Sequence, residues 1–194
     1  HYPFEDTIRF KFSADKAVTF PLYLRIPAWC QSFEAHVNGR KANKDLEKGY
    51  LTIEREWSTD DIVEVEFAMQ PFWVQADARV DSVRGCVALQ RGPIVYCLEG
   101  QDQEADVNLL DAKIDVSQSL TSHWRGDLLG GVMTLEATGH QPAHPTVSKN
   151  GLYRQLLSAN EKRTSERRIK LTAIPYYAWG NRGLESMRVW IPYE

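Results

Sequence analysis

The sequence predicts an all-β protein, an antiparallel, jelly-roll-like β-sandwich built as two packed sandwich domains, and three observations carry that expectation. Short apolar runs alternate with polar residues at period two, the pattern of strands that turn one face to a core and the other to water. Turn residues punctuate these runs at hairpin spacing, notably Asn38-Gly39 and Arg91-Gly92-Pro93. Apolar positions at helical spacing are almost absent from the 194 residues.

Residues 7–12, TIRFKF, place Ile8, Phe10 and Phe12 on one face of a strand and Thr7, Arg9 and Lys11 on the other. Residues 18–26 repeat the theme with Phe20, Leu22, Leu24 and Ile26 inward, ending at Pro27. Residues 33–37 run into Asn38-Gly39, where both turn positions tolerate positive φ and so predict a two-residue hairpin. Residues 50–55 and 62–67 complete this first set, and Pro71 marks a joint; the predicted domains span residues 1–75 and 76–194. Beyond the joint, residues 72–77 lead to a strand pair at 86–90 and 94–98. Arg91-Gly92-Pro93 between them is a corner, because Gly92 reaches backbone angles closed to other residues while Pro93 fixes φ and lacks a donor.

Further strands are expected at 132–137, 169–174 and 187–191. Residues 101–108 are acidic and loop-like, and 106–131 hold only short apolar pieces ending in LLGG. Residues 141–165, with Pro142 and Pro145, predict a long surface excursion. The mixed-charge run EKRTSERR at 161–168 predicts a solvated hairpin or loop.

Composition narrows the function classes. With 43% hydrophobic and 25% charged residues the chain can form a core. A net charge of −3 gives no electrostatic footprint for nucleic acid or an anionic membrane, so neither is an expected partner. No apolar run approaches the ~18 residues of a membrane helix, and HYPFEDTIRF has neither the basic region nor the apolar core of a signal peptide. Localisation is therefore not legible.

No catalytic, cofactor-binding or metal-binding constellation stands out. Glu64 and Glu66 alternate with apolar residues as the wet face of a strand, and Asp60-Asp61 reads as a turn. His140 and His144 have the spacing of a helical zinc pair, but Pro142 and Pro145 oppose a helix there, leaving loop histidines. His36 reads as half-exposed on a strand. Cys30, Cys86 and Cys97 are too scattered for a zinc site and read as buried free thiols. Nucleophile and phosphate-loop motifs are missing.

The aromatic residues remain. Six Trp and eight Tyr suit core or interdomain packing first and sugar stacking second. Trp179, followed by polar Asn181 and Arg182, and Trp73 at the joint are the candidates for a sugar or interdomain contact. Phe72, Tyr176 and Tyr177 are expected to share that apolar surface.

Two long segments, RGCVALQRGPIVYCLE at 84–99 and LTAIPYYAWGNRGLESMRVW at 171–190, carry a family resemblance. With YPFEDTIRFKF, LYLRIPAW, VNGR, GYLTIEREWSTDDIVEVEFAM and WRGDLLGG, the chain resembles, over nearly its whole length, the C-terminal all-β part of glycoside hydrolases related to the family 127 β-L-arabinofuranosidases. The resemblance implies a preceding (α/α)6 barrel in which a zinc-bound cysteine is the nucleophile and a glutamate the acid/base. The adjacent-cysteine motif of that barrel has no counterpart here, so Cys30, Cys86 and Cys97 do not take the role.

By the same resemblance the chain is a non-catalytic scaffold, inactive alone, with His1 an internal cut and any signal lying upstream. Its partners would be the barrel, which hydrolyses L-arabinofuranosides of plant glycans and holds the zinc, the glycan substrate of that barrel, and a second copy in a homodimer. Two alternatives stay open: a carbohydrate-binding module using Trp57 or Trp29, and a dimerisation domain.

Overall fold

Antiparallel pairing organises the chain, whose residues 2–143 and 165–194 are described in the computed structural model. Strands and three short 3-10 turns are the regular elements among the described residues. The chain divides into two units, His1–Gln70 with Arg91–Pro93, and Pro71–Gln90 with Ile94–Glu194.

The first unit holds β1 (Thr7–Lys11), β2 (Val18–Arg25), β3 (Phe33–Val37), β4 (Arg40–Lys41), β5 (Leu46–Glu47), β6 (Tyr50–Trp57) and β7 (Ile62–Phe67). They form one sheet in the order β1-β7-β3-β4 and another in the order β2-β6-β5. The period-two pattern does what the sequence predicts: Val63, Val65 and Phe67 enter the core, while Glu64 faces out and takes the Arg9 guanidinium at 2.6 Å. Asn38 and Gly39 have φ of 51° and 75°, forming the expected two-residue turn. The Asn38 side chain also clamps β7, accepting from Ile62 N at 2.8 Å and donating to Asp61 at 2.6 Å.

Trp57 seals this core. Its ring stacks on Phe12 at 4.4 Å, and its Nε1 donates to the Phe20 carbonyl at 2.9 Å, so both its apolar body and its polar tip are satisfied. Phe10 departs from the alternation and stands exposed, because β1 is a sheet edge paired on one side only, with β7.

The second unit holds β8 (Pro71–Gln75), β9 (Cys86–Arg91, all but its last residue), β10 (Ile94–Glu99), β11 (Lys113–Ile114), β12 (Thr121–Arg125), β13 (Val132–Pro142), β14 (Glu166–Pro175), β15 (Met187–Arg188) and β16 (Ile191–Pro192). They make one sheet in the order β11-β13-β14-β10-β9-β16, with β8 on β9, β12 on β13 and β15 on β10. Its two ends meet, since Ile114 bridges to Tyr193 and Glu194 N donates to the Ile114 carbonyl at 3.0 Å. Leu89, Leu98, Ile114, Leu135, Leu171, Ile174 and Ile191 are buried in it.

Two expectations change in this unit. Of the charged run at 161–168, expected as a solvated hairpin or loop, the described Glu166, Arg167 and Arg168 open β14 as a hairpin arm opposite Pro142, Gln141 and His140. Ladder hydrogen bonds outweigh the local polarity, and Arg167 is held by an ion pair to Asp106 at 2.8 Å. His140, expected in a loop, therefore sits in β13 between Arg168 and Lys113. Residues 106–131, without a readable pattern, supply β11 and β12. His144 and most of the excursion expected at 141–165 lie outside the described residues.

Candidate functional site

The second specific sequence segment builds a surface. β14 ends at Pro175, whose fixed φ opens a 3-10 turn at Tyr176–Ala178. That turn buries Ala178 and leaves Tyr176, Tyr177 and Trp179 at 46%, 62% and 43% exposure. The Tyr176 and Trp179 rings lie within 7° of parallel, 6.3 Å apart. Leu184, five residues on, is fully exposed.

Beneath these rings the chain turns inward. Arg182 Nη2 meets Glu99 Oε2 at 2.5 Å and Asp102 Oδ2 at 2.6 Å, and Nη1 donates to Asp102 Oδ1 at 2.7 Å. Glu99, at the end of β10, is completely buried, and its other oxygen accepts from Gly180 N at 3.1 Å. Gln103 ties this carboxylate arm to β14: Nε2 donates to the Glu99 and Thr172 carbonyls, and Oε1 accepts from Thr172 N at 3.0 Å. Asn181 donates to Ala178 O at 2.9 Å, closing the loop on itself. The hydrogen bonds to Asp102, then those to Glu99, push the Arg182 guanidinium further above its already high ordinary pKa, so it stays charged.

The arrangement limits the chemistry. Arg182 is committed to two carboxylates and is no open anion receptor, and those carboxylates are not a free acid/base pair. Burial, reinforced by the charges of Glu99 and Asp102, raises the Cys97 thiol to about 12, leaving it a protonated hydrophobe rather than a nucleophile. Burial also raises Cys30, which donates to Ser32 O at 2.9 Å, and Cys86 is half-buried. Among the described residues no group of three His, Cys, Asp or Glu stands close enough to hold a metal ion.

The sequence-predicted aromatic candidates separate. Trp73 lies half-buried on β8 and has no ring contact with Trp179 among the described residues. Trp57, offered for glycan stacking, is sealed in the first unit's core, and half-buried Trp29 packs edge-on against Phe67 at 5.7 Å. Trp57 therefore offers no free ring face for stacking. Sequence reasoning missed Glu99 and Asp102, because their partner Arg182 lies 83 and 80 positions away. It also missed a shallow groove of about 430 Å3 on β12–β14, lined by Thr121, Glu136, Thr138, Arg168 and Lys170, where Lys170 already occupies Glu136 at 2.7 Å.

Comparison with known proteins assigns both units. Residues 71–192 match the family described as glycoside hydrolase family 127 C-terminal domain, and residues 1–69 match the beta-L-arabinofuranosidase, GH127 middle domain. A non-reducing end beta-L-arabinofuranosidase of Bifidobacterium longum is 34% identical over 190 residues, 95% of this chain and 28% of that protein. The crystal structure of a GH127 beta-L-arabinofuranosidase from Geobacillus stearothermophilus T6 superposes with a TM-score of 0.85 at 35% identity, covering all of this chain and 29% of that one. A further GH127 beta-arabinofuranosidase gives 0.84 at 29% identity, covering all of this chain and 30% of that one. The chain thus spans under a third of these relatives.

Proposed function

The chain belongs to glycoside hydrolase family 127, and from that premise we propose that it is the non-catalytic β-sandwich portion of a β-L-arabinofuranosidase-like enzyme. Its two sandwich domains, residues 1–75 and 76–194, support a preceding (α/α)6 barrel that hydrolyses L-arabinofuranosides of plant glycans and carries the zinc and the reacting cysteine. The observation that carries the reading is the exposed ring cluster Tyr176, Tyr177 and Trp179, held in place by the buried Glu99–Arg182–Asp102 ion pairs. Apolar surface on so anchored a loop suits a permanent neighbour. Trp73 and Asn181 are assigned to the same supporting role, and Arg182 acts through the loop it fixes.

The test is an assay with an aryl β-L-arabinofuranoside in the presence of zinc. The 194-residue chain alone is expected to show no turnover, and the upstream region of the parent to gain activity and solubility when this chain is restored. Turnover by the isolated chain that disappears on mutating Cys30, Cys86 or Cys97 would refute the proposal.

A further inference from the structure

Arg91, the last residue of β9, is only 8% exposed. Its Nη1 donates to the Phe4 carbonyl at 3.1 Å and approaches Met69 Sδ at 3.9 Å, and its Nε is buried with no acceptor. Among the described residues it has no ion-pair partner, whereas the less deeply buried guanidinium of Arg182 has two carboxylates. A guanidinium carries five N–H donors and a charge it does not give up in proteins, and burying that charge without a counter-ion is costly.

The burial is built into the corner. Gly92 has φ of 54°, and a Cβ there would stand 3.1 Å from Met69 Sδ, so the turn is fitted against that side chain. Pro93 comes next with a fixed φ. Arg91 is held where it stands, incompletely satisfied.

We propose that Arg91 is the receptor for a carboxylate carried by the part of the parent protein that precedes Tyr2, an ion pair completed only in the full-length enzyme. This rests on the reading that a catalytic domain lies upstream. Phe4, already bonded to Nη1, brings the entering chain against the guanidinium, so upstream residues are tethered within reach. A carboxylate fits better than a carbonyl, because it neutralises the charge and matches the planar fork of donors.

The test compares Arg91→Met in the 194-residue chain and in the full-length enzyme by thermal unfolding. Methionine keeps an apolar stem and removes the charge. In the isolated chain the midpoint is expected to rise by on the order of 3 °C, and in the full-length enzyme to fall by on the order of 5 °C, where the upstream carboxylate loses its cation. A full-length enzyme indifferent to the substitution, or a loss of equal size in both proteins, overturns the inference. Should Arg91→Met fail to fold, Arg91→Lys keeps the charge without the fork; it should spare the isolated chain and lower the full-length midpoint, and equal effects again overturn it. The scaffold reading fails on a different result: an upstream domain as stable and active without this chain as with it.

Discussion

The two units deploy the same residue types in opposite places. In the first, the rings of Phe12, Phe20 and Trp57 are packed together in the core while Glu64 and Glu66 face outward. In the second, Glu99 is buried with Arg182, and Tyr176, Tyr177 and Trp179 stand outside. The first arrangement removes apolar area from water and needs nothing more. A buried ion pair returns little net stability, because desolvation offsets the attraction, so its use under a surface loop is better explained by what it positions. The first unit stacks three of its rings in its core, though Tyr23 and Phe10 stand exposed, and the second gathers three exposed rings on one anchored loop.

The largest effect expected on that contrast is in the first unit. Trp57→Ala should cost about 4 kcal/mol in denaturant unfolding, through the lost ring, the cavity and the orphaned Phe20 carbonyl. A cost below about 1 kcal/mol would mean the core is not sealed by this ring. Next, Arg182→Ala should cost about 3 kcal/mol by leaving Glu99 and Asp102 without their cation. The double change Glu99→Gln with Arg182→Met should recover part of that loss; if it is worse than the single change, the pair is a true source of stability and the contrast weakens.

Gly92→Val tests the corner and should cost about 1–3 kcal/mol, because a β-branched residue is strained at φ of 54° and meets Met69. An unchanged thermal melt would remove the corner as a structural determinant. The smallest stability change, under about 0.5 kcal/mol, is expected for Trp179→Ser, since that ring is largely outside the fold. Its effect should appear in light scattering instead: the isolated chain is expected to self-associate through its exposed rings, and the substitution to reduce the species observed. A strictly monomeric unsubstituted chain at high concentration would break the comparison at its second half.

Several elements are legible to the residue. Strands 33–37 and 62–67 and the Asn38-Gly39 turn follow from alternation and from the φ those two residues accept. β12 is not legible, because all five of its residues are exposed and it is a strand only through its ladder to β13. The start of β14 is hidden for the same reason, its charged residues being held by partners across the sheet. The candidate site is half legible: the segment holding Trp179 stands out as sequence, and its buried anchors do not.

Local chemistry, carried in neighbouring residues, settled the β character of this chain, its main turns and its family. Whether a given ring is core or surface was settled elsewhere. Trp57 is buried because Phe20, 37 positions away, and Phe12 come to cover it, and Trp179 is exposed because a carboxylate some 80 positions away draws the following loop inward. Burial and charge pairing depend on distances between segments remote in sequence, and those distances exist only once the sheets have closed.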